Sequence, residues 1–176
     1  MTEPESGLSV HSRPGMLSIT DSRLFARGRE ACAASFARRL LRISEVRSIE
    51  IDPVRATASV RYSSSPGDQQ ILVGRLADAL TSDDDPEFET MPKWRSEETV
   101  KLRRYGDIIT TLEVLTLNKS CLETRHRAIR HDSLTARRIV NALRQIPGLL
   151  EVTFDVGKLS MRLDPAVLST VELVRR

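Results

Sequence analysis

Ala31–Tyr62 reads ACAASFARRLLRISEVRSIEIDPVRATASVRY, and something close to it returns at Ser133–Leu163 as SLTARRIVNALRQIPGLLEVTFDVGKLSMRL. In the first copy Ala33, Phe36, Ala37, Leu40 and Ile43 stand three and four residues apart, the apolar stripe of a helix. Ile49 and Ile51, then Ala58, Val60 and Tyr62, alternate with charged or small residues, as half-buried strands do. The second copy repeats both patterns, with Ala136, Ile139, Val140, Leu143 and Ile146 on the stripe and Val152, Phe154, Leu159, Met161 and Leu163 on the strands. Asp52 corresponds to Asp155 at an offset of 103; past a shorter turn, Ser59 and Arg61 correspond to Ser160 and Arg162 at 101. Two versions of one helix–hairpin unit follow.

The surrounding segments extend the unit. Met16, Leu17 and Ile19 suggest a strand after Pro14-Gly15, and Asp21–Gly28 reads as a connection to the helix starting at Glu30. Ile71, Leu72, Leu76 and Leu80 form the face of a further helix, and Phe88–Pro92 is a short closing strand. Asp83–Glu87 is an acidic, self-repelling break, and Trp94 beside it suits a domain seam. Ile108–Leu117 is rich in β-branched residues and reads as a strand, expected to take a vacant sheet edge in the second unit, although Ile108, Leu112 and Leu115 also fit a helical period. Leu122–Arg130 opens that unit, Asp132 or Ser133 caps its helix, and Pro147-Gly148 stops it. Val167, Leu168, Val171 and Val174 give a last short helix. The expected division is a flexible tail at 1–13, a first module at 14–92, a linker at 93–107 and a second module at 108–176. Strand, helix, hairpin, helix, strand is the ferredoxin-like order, so the expected class is α+β: two ferredoxin-like modules, the second lacking its C-terminal strand.

Composition bounds the function. Hydrophobic content of 40% and charged content of 29% are those of a globular protein. No apolar run approaches the ~18–20 residues of a spanning helix, and the N-terminus lacks a signal-peptide pattern, so a cytoplasmic location is expected. Two cysteines, Cys32 and Cys121, make no disulfide framework. A net charge of +3 spread over helix faces, with 4% aromatics, argues against a nucleic-acid partner. Cys121, His126 and His131 invite a metal reading, but on a regular strand Cys121 and His126 point to opposite faces. Neither a Ser–His–Asp set, a phosphate loop nor a usefully spaced carboxylate pair is present, so no enzyme is expected.

The run Ala142-Leu-x-x-Ile-Pro-Gly-Leu149, followed by strand, turn and strand, resembles the heavy-metal-associated domain of metallochaperones and metal-pumping P-type ATPases. Arg39–Val46 is the weaker first match, and His11-Ser12-Arg13-Pro14-Gly15 is similar to the branch of that family without a metal motif. By this resemblance the family's two metal-binding thiols would fall at Arg29 and Cys32, and at Asp132 and Thr135. One thiol of four remains, and soft cations need at least two deprotonated soft ligands. A guanidinium at contact distance would repel a cation by ~1–4 kcal/mol. The resemblance therefore implies a scaffold with no metal or other cofactor. It implies a non-catalytic adaptor or regulator in metal-cation transport, partnered with a P-type ATPase or similar membrane cation transporter. The alternatives are a nucleic-acid-binding protein, whose open sheet would need aromatics such as Tyr62 and Phe154, and a metal carrier using Cys32, Cys121 and the histidines.

Overall fold

The computed structural model describes residues 7–63, 69–82, 98–126, 129, 134–155 and 157–175. It divides into two units, Met1–Ile109 and Thr110–Arg176. The acidic break, the Phe88–Pro92 strand and Trp94 lie outside the described residues.

The first unit opens with a hairpin, β1 (Ser9–Arg13) and β2 (Met16–Thr20), turned at Gly15. That glycine has φ +73°, a conformation costly for any residue carrying a Cβ. A short helix, α1 (Ser22–Phe25), then α2 (Glu30–Leu41), lead to the hairpin β3 (Val46–Asp52) and β4 (Thr57–Tyr62). Helix α3 (Gln69–Thr81) and strands β5 (Val100–Tyr105) and β6 (Ile108–Thr110) follow. The antiparallel order is β1-β2-β4-β3-β5-β6. One sheet side faces the helices: Leu17, Ile19, Ile49, Ile51, Ala58, Val60 and Leu102 are buried there with Phe36, Ala37 and Leu40 of α2 and Leu72 and Leu76 of α3. Phe25 and Phe36 meet edge to face with centroids 4.8 Å apart, and Arg39 Nε donates to the Ala79 carbonyl at 2.8 Å, tying α2 to α3.

The second unit repeats this plan as β7 (Glu113–Leu117), β8 (Cys121–Arg125), α4 (Leu134–Leu143), β9 (Leu149–Asp155), β10 (Lys158–Leu163) and α5 (Thr170–Arg175), with order β7-β8-β10-β9. Register makes the repeat atomic. Leu17 faces Val60 and Ile49 faces Val60; likewise Leu122 and Val152 both face Met161. Tyr62 N–H donates to the Gly15 carbonyl at 3.0 Å, and Leu163 N–H to the Ser120 carbonyl at 2.9 Å.

Several expectations are corrected. Ser9–Arg13 is not a tail but an edge strand; its side chains are mostly exposed, so backbone pairing with β2 rather than an apolar face holds it. Asp21–Gly28 contains α1, capped by the Asp21 carboxylate, which accepts from Arg23 N at 2.8 Å and pairs with Arg23 Nη2 at 2.8 Å. Val100–Tyr105 is not linker: Val100 and Leu102 pair with Ile51 and Ile49 and complete the core. Ile108–Leu117 is two strands, β6 on the first sheet and β7 on the second. The architecture is α+β with two antiparallel sheets, and β7 does take the edge beside β8. In the first sheet, however, β1 holds the edge beside β2, and the strand after α3 joins the opposite edge beside β3. A ferredoxin-like module sets its closing strand beside its opening one, so the first sheet departs from that order.

The units differ in cover. Helix α2 buries Ala33, Phe36, Ala37, Leu40 and Leu41, whereas α4 buries Ala136 alone. In the first unit α3 packs on α2, where Arg39 Nε reaches the Ala79 carbonyl. At Gly148, φ is +86° and an added Cβ would lie 2.9 Å from Val167 and Leu168, so the segment before α5 closes tightly on the α4–β9 turn instead. Thr124, buried at the place of Ile19, leaves its hydroxyl without a partner among the described residues, and so do Arg104 Nε and Nη2 at the end of β5. Two outcomes follow for urea unfolding read at β4 and β10. Leu40→Ala should cost ~2–5 kcal/mol, and the half-buried, repeat-related Leu143→Ala clearly less. Thr124→Val, which removes an unsatisfied hydroxyl at nearly constant volume, should stabilise the second unit by about 1 kcal/mol.

Candidate docking site on the second unit

The positions singled out in sequence fall as follows. Arg29 is exposed, ends the approach to α2 and makes no side-chain cap; its carbonyl accepts from Ala33 N at 2.9 Å. Cys32 is half-buried in the first turn. Thr135 is exposed in the first turn of α4, while Asp132 and His131 lie outside the described residues. Cys121 opens β8, half-buried opposite Arg162. His126 lies beyond the end of β8, so the opposite-face argument does not apply to it; its carbonyl accepts from Ile129 N at 3.0 Å. Among the described residues no three His, Cys, Asp or Glu side chains gather at metal-binding distance.

The open sheet sides are polar. In the first unit His11, Ser18, Ser59, Glu50 and Lys101 form one row, with Lys101 Nζ 3.3 Å from Glu50. In the second, Glu123 accepts from Lys158 Nζ at 3.0 Å, Thr116 Oγ1 at 2.9 Å and Ser160 Oγ at 3.2 Å, and Arg162 meets Glu151 at 3.3 Å. The hydrogen bond from Lys158, then that from Thr116, holds the Glu123 carboxyl below its ordinary range. Tyr62 and Phe154 both stand on the helix side, not the open side.

A different surface is apolar. Strand β9 ends its sheet and has no neighbour beyond it among the described residues. Beside it, Ala136, Val140 and Phe154 line a groove of about 290 Å³, flanked by Arg137, Asn141 and Arg144. In the first unit the matching residues are Ala33, Ala37 and Ile51, all buried, and β5 occupies the strand position that β9 lacks. Leu134 and Leu150, at 66% and 62% exposure, add apolar surface on the same two elements. Periodicity could not reveal this site, because α4 carries the same stripe as α2.

Because the folded Glu123 carboxyl titrates below the unfolded value near ~4.3, its stabilisation is present above that pH and is lost as pH falls through the folded value. Glu123→Gln should therefore flatten the acid limb of the second unit's pH–stability curve without moving that of the first, read by site-resolved amide exchange. Models of known protein families, curated proteins and solved structures were compared with the chain, and none matches.

Proposed function

We propose that this chain is a non-catalytic adaptor that docks a partner protein along the α4–β9 side of its second unit. One observation carries the reading: the β3 edge that β5 covers in the first unit corresponds in the second to β9, where Phe154 lies half-buried over a groove. The open sheet sides are poorer docking surfaces, since they are polar and the Glu50–Lys101 and Glu123–Lys158 charges are already matched. The resemblance to heavy-metal-associated domains supplies the setting, metal-cation transport, and the partner class, a membrane cation transporter.

A photo-crosslinking side chain placed at Phe154 in cells should yield one defined adduct, with a membrane cation transporter. The same probe at Ser59, on the first unit's open side, should not. An adduct with a partner of another class would remove the transport setting, and no adduct specific to position 154 would remove the docking reading.

A further inference from the structure

We infer that the occupant of the β9 edge is an extended segment of the partner, added antiparallel as a fifth strand, with apolar and basic residues in alternation. This rests on the docking reading above and specifies its ligand. The repeat provides the template. In the first sheet, β5 pairs with β3 so that Val100 faces Ile51, Lys101 faces Glu50, Leu102 faces Ile49 and Arg103 faces Ser48. Transposed by the repeat, Ile51 becomes Phe154, Glu50 becomes Thr153, Ile49 becomes Val152 and Ser48 becomes Glu151. A strand of the β5 pattern laid on β9 would bring its apolar residues to Phe154 and Val152, at the groove. It would bring a basic residue to Glu151, with Asp155 on the same open side. Backbone hydrogen bonds along the edge would supply affinity, and the alternation would supply register.

Charge opposes a second copy in one self-pairing register. Antiparallel self-pairing of β9 centred on Thr153 would set Glu151 against Asp155 of the other copy, like charges directly opposite. A basic residue on the open sheet side meets both carboxylates, while Arg137 and Arg144 flank the groove from α4. Arg162, 3.3 Å from Glu151, shows that this carboxylate already accepts a guanidinium across the sheet, in an exposed pair that leaves it reachable.

The test uses the full chain and two capped hexapeptides, VKLRRY with the sequence of β5 and VLKRRY, of the same composition with the alternation broken. VKLRRY should shift the amide resonances of Leu149–Asp155, and VLKRRY should bind at least about tenfold more weakly, because in no register do both its valine and its leucine face the groove. Phe154→Asp should weaken VKLRRY binding about tenfold or more while leaving β8–β10 amide exchange intact. Equal binding of the two peptides, or no response in β9, overturns strand addition. Concentration-dependent dimerisation of the chain that protects β9 amides overturns it in favour of a second copy. If the peptides fail while the position-154 adduct persists, strand addition falls and docking stands; if both fail, so does docking.

Discussion

Everything in each unit depends on one non-local pairing, the opening strand against the last strand of the hairpin: β2 with β4 and β8 with β10. These strands are separated in sequence by a helix and a strand, so the pairing closes a long loop whose entropy must be offset by burial. Its register sets Leu17 and Leu122 opposite Val60 and Met161, placing an apolar row beneath the helix. A slip of one residue would carry Ser18, Glu123, Ser59 and Ser160 inward instead, which no partner in either core could satisfy. The matched backbone bonds from Tyr62 to Gly15 and from Leu163 to Ser120 lock the same register at one end of both sheets.

From that common frame the units diverge by subtraction. Strand β5 closes the first sheet beyond β3, and α3 packs on α2. The second keeps the sheet and α4, and among the described residues Phe154 and Val140 stand beside an edge with no further strand. A site that arises in this way needs no new residues. It appears where an inherited apolar surface has lost its cover, and its chemistry is set by what the surviving copy still holds there.

Leu40, Ile49 and Val60 and their counterparts were readable from spacing because each sits in an element buried on one side only, where period and burial coincide. Strand β1 was not, since His11, Ser12 and Arg13 are exposed and the strand is held by backbone bonds. Strand β5 was obscured by Lys101, Arg103 and Arg104 around two apolar residues, and the break between β6 and β7 by a run of β-branched residues continuous across two sheets. The positions Arg29, Cys32 and Thr135 were found by resemblance, and geometry places them at helix starts without a shared cluster. The α4–β9 groove was not readable because it consists of a missing neighbour, which leaves no mark on the residues that lack it.

Arg104 gives the first unit a weak seam. A guanidinium with Nε and Nη2 enclosed and unpartnered, and with its charge opposed by burial and by Arg47, penalises the closed position of the end of β5. Fraying there hydrates the fork, so β5 should peel from its C-terminal end while β2, β3 and β4 stay zipped. Once peeled, it would bare Ile49 and Ile51 and turn the first unit into a likeness of the second.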